Sequence, residues 1–163
     1  GPYPLFWSWQ RAETNTGVTI HQMDAGLDTG PIWCQQKIPL PTGATIHTAE
    51  QTLGHAAAHL IHNLLPQLPA SQPTPQPANA PPPDPPPNPA DFRLYPHWSA
   101  QHAFNFMRGT AHWGYPYPLT IAHTNLTLTH AVSFDPHHQL PIPVQYTPHG
   151  LAVQFSPGTL FAQ

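Results

Sequence analysis

Apolar and polar positions alternate with period two from Thr16 to Met23, setting Val18, Ile20 and Gln22 against Thr19, His21 and Met23, the pattern of a pleated strand. A second strand begins at Pro31, beyond a loop bracketed by Gly26 and Gly30. The period then changes. Ala49, Leu53, Ala56, Ala57, Leu60, Ile61, Leu64 and Leu65 recur at three- and four-residue intervals, predicting a helix over Thr48 to Leu65 with Thr48 and Gln51 as a capping box and Pro66 as the stop. The apolar stripe implies that this helix lies against a sheet, and Gly54 on its flank costs about 1 kcal/mol relative to alanine. Ser99 caps a shorter helix whose apolar side is Ala100, Ala103, Phe104 and Met107, with Gly109 as its end. Short strands follow. Leu126, Leu128, His130 and Val132 alternate with Thr127, Thr129 and Ala131, and Leu151, Val153 and Phe155 alternate again before a turn at Pro157-Gly158.

Between these regions the pattern stops. Twelve of the 25 prolines fall between Pro66 and Pro89, and positions 80–89 favour extended, polyproline-like backbone. The segment reads as a semi-rigid tether more readily than as a ligand for an aromatic groove, and no helix or sheet is expected in it. The organisation that follows is 1–65, a linker over 66–91, and a small β-rich unit over 92–163.

Composition narrows the functions available. The 163 residues suffice for one ordinary domain or two small ones. Arg11, Lys37, Arg93 and Arg108 are the basic side chains against seven acids, so the net charge of -3 carries no electrostatic footprint for a nucleic acid. Cys34 stands alone, which excludes an intrachain disulfide and a cysteine-built metal site and points to the cytoplasm. No apolar run approaches the roughly 18 residues of a membrane span, so no membrane partner is expected. His55, His59 and His62 share a helix face opposite the leucine stripe, with no carboxylate among them, and read as a solvated face and not a metal site. His137 and His138 follow Asp135-Pro136 in an expected exposed turn. Trp113, Tyr115 and Tyr117, with only Arg108 near them, read as packing and not as a base-stacking platform; Phe6, Trp7 and Trp9 read as core.

The loop from Asp24 to Gly30 is where chemistry could reside. Two glycines around Leu27-Asp28-Thr29 permit a tight bend with accessible amides and carbonyls, and put one carboxylate, Asp28, at its tip. Asp28 could equally cap or turn the loop, and spacing alone does not separate the two roles.

The run Gly17-Val-Thr-Ile-His-Gln-Met-Asp-Ala-Gly-Leu-Asp-Thr-Gly-Pro-Ile32, together with Gly1-Pro2-Tyr3-Pro4 leading into Leu5 to Gln10, resembles the signature of the 10-formyltetrahydrofolate-dependent formyltransferases, methionyl-tRNA formyltransferase-like in particular. The first 65 residues carry the specific part of the match. The resemblance implies an α/β fold: the C-terminal part of a Rossmann-like formyltransferase domain, the proline-rich linker, and a small open barrel of the oligonucleotide-binding type. It also implies that the chain lacks the family's N-terminal sheet and its Asn-x-His-Pro segment, and by itself would be inactive.

The implied reaction moves a formyl group from 10-formyltetrahydrofolate to an amine, with no metal. Asp28 corresponds to the family's catalytic acid, orienting the missing histidine and helping to move protons, while Asp24, Ala25, Gly26 and Leu27 form the backbone wall for the folate's pterin ring. The attacking nitrogen must lose a proton, the oxyanion needs a donor, and the leaving nitrogen must gain a proton. The family implies methionyl-tRNA, hence translation initiation, as acceptor; the sparse basic residues make an amino sugar on a nucleotide a competitor. A non-catalytic remnant or interaction module is the reading from a different class.

Overall fold

The structure, a computed structural model, describes residues 1–77, 79 and 82–163. Positions 78, 80 and 81, within the 66–91 linker and partly within the polyproline stretch, lie outside the described residues. The fold mixes helices and antiparallel strands: α1 (Pro4–Gln10), β1 (Asn15–His21), β2 (Ile32–Pro39), α2 (Ile46–Leu64), α3 (Ala100–Thr110), β3 (Tyr117–Ile121), β4 (Thr124–Leu128), β5 (Ala131–Asp135), β6 (Val144–Thr147), β7 (Gly150–Gln154) and β8 (Thr159–Ala162). Two compact units form, and they do not follow chain order: Gly1–Glu13 and Pro41–Ile46 belong with Asp84–Gln163, and Thr14–Leu40 with His47–Pro83.

The larger unit owes its core to aromatic rings. Phe6 on α1 lies 5.2 Å from Phe92 and 5.6 Å from Phe106 on α3, and Tyr117 closes the cluster 5.9 Å from Phe106. Trp9 presses on Gly109, where a Cβ would stand 2.2 Å from the indole. Gly109 is therefore a point of close approach inside α3 and not its stop. The helix runs on to Thr110, and a short 3-10 turn ends at Gly114, whose φ of 68° suits glycine. Ser99 is the N-cap as expected, accepting from the His102 amide at 3.1 Å. The apolar face is wider than predicted, because Phe106 is buried and Phe104 only partly so. Tyr117 hydroxyl and Thr110 Oγ1 lie 2.8 Å apart, and burial pushes the phenol up to about 12.

The strands of this unit make a β3–β4 hairpin and a four-stranded antiparallel sheet in the order β5-β8-β7-β6. The single strand expected through Leu126–Val132 is two strands. The amides of Thr129 and His130 both turn to the carbonyl of Gln163, which breaks the alternation, so Leu128 and Ala131 are buried while Val132 is exposed. The β3–β4 hairpin escaped the sequence reading because its two turn residues, Ala122 and His123, take positive φ without the usual Asn-Gly signal. His137 and His138 lie in an exposed turn, their amides on the Asp135 carboxylate.

In the smaller unit β1 and β2 pair antiparallel, Thr16 opposite Ile38 and Ile20 opposite Cys34, with an irregularity at His21. Helix α2 starts at Ile46, so Thr48 lies in its first turn and is not the cap. Leu53, Leu60 and Leu64 are half-buried and Ile61 is exposed; Ala49 is its buried residue. The burial expected of this helix against a sheet is not reached. His55, His59 and His62 are exposed, and among the described residues no three His, Cys, Asp or Glu side chains group to hold a metal ion.

The proline-rich segment is more structured than its composition predicts. A 3-10 helix spans Leu65–Ala70 and another Pro89–Phe92, the latter capped reciprocally by Asn88 and Asp91. Proline's fixed φ is compatible with such turns at their first positions. Thr74 makes an isolated antiparallel bridge to Ile32. In the larger unit, Trp7 Nε1 donates to the carbonyl of Pro85 at 2.9 Å, and Arg11 pairs through both guanidinium nitrogens with Asp84.

Candidate functional site

The site sits on the smaller unit, at the end of the β1–β2 hairpin. Strand β1 delivers His21 to the sheet edge, and the chain leaves the ladder through Gln22, whose amide bonds the carbonyl of Pro31 at 2.8 Å and closes the neck of the loop. Gly30 is buried at that neck. A Cβ there would lie 1.7 Å from the carbonyl oxygen of Gln22, so only glycine lets the two arms come this close.

Inside the loop Asp24 is a brace. Its Oδ1 accepts from the Gly26 amide at 3.0 Å and from the Thr29 hydroxyl at 2.6 Å. The hydroxyl bond first and the amide second hold the Asp24 carboxyl below the usual carboxylate range. A Cβ on Gly26 would fall 2.1 Å from Thr29 Oγ1, into this network. Ala25, Gly26 and Leu27 follow as exposed bends, with Leu27 90% and the preceding Met23 85% exposed.

Asp28 takes a φ of 57°, in the left-handed region that aspartate tolerates better than most residues. Its Oδ1 faces His21 Nε2 at 3.7 Å, with the carboxylate side chain 75% exposed and the imidazole 25%. His21 Nδ1 donates to the carbonyl of Gln22 at 3.0 Å. With that nitrogen engaged, the ring turns its other nitrogen to the carboxylate. Both residues line a cavity of about 320 Å³ with Thr19, Ile32, Gln35 and Gln76, and Gln35 Nε2 donates to Thr19 Oγ1 at 2.9 Å across its wall.

All five residues singled out from the sequence, Asp24, Ala25, Gly26, Leu27 and Asp28, thus occupy one exposed loop. Asp28 lines the cavity, whereas the Asp24 side chain is turned inward on the loop itself. Two residues escaped the sequence reading. His21 had a signal, since the period-two pattern already set it on the same side as Thr19. Gln76 had none, because it arrives from 48 residues along the chain.

Residues 1–67 match the family model described as Formyl transferase, and this stretch contains the whole Asp24–Gly30 loop. Within that segment, 61 residues are 41% identical to the methionyl-tRNA formyltransferase of Deinococcus radiodurans, covering 37% of this chain and 19% of that protein. The chain spans about a fifth of the length of the curated relatives it matches. Among solved structures, an N-formyltransferase from Helicobacter canadensis, in complex with folinic acid and dTDP-3-aminofucose, superposes with a TM-score of 0.63 at 13% identity, over 97% of this chain and 58% of that one. The methionyl-tRNA formyltransferase from Clostridium thermocellum superposes with a TM-score of 0.51 at 20% identity, over 80% and 56%. At these identities the likeness is one of fold, and it extends beyond the segment that the family model matches.

Proposed function

We propose that the protein transfers a formyl group from 10-formyltetrahydrofolate to an amine, with Asp28 as its acid. The observation that carries this reading is the placing of Asp28: a carboxylate at the tip of a glycine-necked loop, lining a cavity opposite an imidazole, inside the segment that the formyl transferase model matches. Bound folate supplies the one-carbon unit. The donor fits the loop's exterior, since Asp24 to Leu27 offer backbone and small side chains there, flanked by the exposed apolar side chains of Met23 and Leu27. The Asp24 carboxylate is occupied by its own loop and would contribute through backbone only. The Asp28 side chain accepts the proton that the attacking amine must lose, through water or an imidazole.

Methionyl-tRNA is the acceptor favoured by the sequence relatives. Four basic side chains in 163 residues favour the second reading, a nucleotide-linked amino sugar, because a tRNA partner is normally gripped through clustered Lys and Arg. In either reading 1–65 is the C-terminal part of the catalytic domain, supported by the end of the family match at residue 67, 66–91 joins it to 92–163, and the protein works in the cytoplasm. For 92–163 we propose the open-barrel type, on the support of six antiparallel strands. No helix of the described residues is long and apolar enough to cross a membrane.

The test is Asp28→Asn in the complete protein, assayed with 10-formyltetrahydrofolate against both acceptor classes. Loss of a positioned proton acceptor should lower turnover roughly 10²- to 10⁴-fold with the fold intact. Turnover within a few-fold of the parent overturns the assignment, and the acceptor that supports turnover in the parent decides between the two readings.

A further inference from the structure

The proline-rich segment after α2 contains the run Pro73-Thr74-Pro75-Gln76-Pro77, in which prolines alternate with two residues that keep their amides. Proline cannot donate to a ladder, so it suits the outer side of an edge strand, and alternate positions of extended backbone face alternate ways. Thr74 uses both of its backbone groups: the Ile32 amide donates to its carbonyl at 2.7 Å, and its own amide donates to the Ile32 carbonyl at 2.8 Å. That bridge fastens the segment to the first residue of β2, immediately beyond the loop. Two residues on, Gln76 Nε2 donates to the carbonyl of Asp28 at 2.8 Å and to the carbonyl of Gly30 at 2.7 Å.

One side chain therefore holds the backbone on both sides of Thr29. Asp28 gains from such a hold, because its carboxylate is largely exposed and its left-handed φ, though tolerated by aspartate, is not the backbone's default. Asp24 secures the loop's interior through Gly26 and Thr29, leaving its rim to Gln76.

We propose that residues 73–77 are a strap across the site and that Gln76 is a positioning residue, aiming Asp28 into the cavity both residues line. The proposal rests on the reading of Asp28 as the working acid. The amide of Gln76 takes no part in proton transfer; it fixes the backbone from which the acid projects. Misplacement of a reacting group by about 1 Å costs on the order of 10²-fold in rate, so loss of the strap should fall on turnover more than on binding.

The experiment compares Gln76→Ala, Gln76→Glu and Asp28→Asn in the complete protein, with thermal unfolding as the check on folding. Gln76→Ala should lower kcat about 10- to 100-fold with the donor KM within about three-fold. Amide hydrogen exchange at Thr29 and Gly30 should quicken at least about ten-fold. Gln76→Glu, of the same shape but carrying a carboxylate against two carbonyls, should do at least as much. Unchanged kcat and unchanged exchange in both Gln76 variants overturn the strap, as does an equal change in kcat and KM that merely tracks lost stability. If Asp28→Asn leaves turnover unchanged while Gln76→Ala quickens exchange, the reading of Asp28 fails and the positioning role with it, and Gln76 only braces the loop. If Asp28→Asn is dead and Gln76 is silent, the reading of Asp28 stands and the strap fails.

Discussion

At the scale of single residues, two glycines make opposite predictions. Gly30 has the carbonyl oxygen of Gln22 where a Cβ would go, whereas Gly54, on the exposed side of α2, has nothing within 4 Å. Gly30→Ala should therefore lose about 1–3 kcal/mol as the neck is forced open. Gly54→Ala should gain up to about 1 kcal/mol from helix propensity and the unfolded chain's reduced freedom. Urea unfolding, followed by the fluorescence of Trp33 on β2 for the first and by helical circular dichroism for the second, checks both. Asp24 makes a pH prediction. Its carboxyl is held below the ordinary range by Thr29 and Gly26, so the loop's order is complete above the usual carboxylate pKa and is lost as pH falls through the lowered one. Amide shifts of Gly26 followed through an acid titration should move with that transition, and Asp24→Asn should abolish it.

At the scale of elements, α3 combines a cap with a half-buried titratable ring. Ser99→Ala removes the acceptor for the His102 amide and should cost about 1 kcal/mol. The His102 ring stacks on Trp98 at 3.8 Å, and its Nε2 donates to the carbonyls of Trp9 and Gln10 at 3.0 and 3.1 Å. Burial pushes its pKa down, with His97 adding in the same direction, and the two carbonyl bonds oppose the shift without cancelling it. The sign follows from where protons bind. The unfolded histidine takes up its proton near pH ~6.5, the folded one at lower pH, so stability falls as pH drops below that value and levels off once both states are protonated. Denaturation midpoints between pH 8 and 5 should show this slope, and His102→Gln, which keeps a donor for the carbonyls, should flatten part of it.

At the scale of the whole molecule, stability of the larger unit rests on an aromatic core assembled from distant parts of the chain. Phe106→Ala removes a fully buried ring that touches Phe6, Phe92, Trp98 and Tyr117, and should cost about 3–5 kcal/mol, read as a lowered melting temperature in near-ultraviolet circular dichroism. The smaller unit buries far less, with Ile38 and Ala49 as its deeply buried apolar side chains among the described residues. Its hairpin carries the site at one end.

Local pattern determined the β1 and β2 strands, helices α2 and α3, the Ser99 cap, and the loop that holds Asp28, because each depends on periodicity or on a residue's own backbone preference. Phe106, Gly109 and the break at Thr129-His130 were not legible in that way: a ring's burial, a glycine's contact with Trp9 and two amides turned to Gln163 depend on partners far along the chain. The loop shows the division most plainly. Two glycines and an aspartate announce a bend with an acid at its tip, but that His21 faces the acid and Gln76 holds the bend could be decided only by folding, since hydrogen bonds form between groups brought within about 3 Å, whatever their separation in sequence.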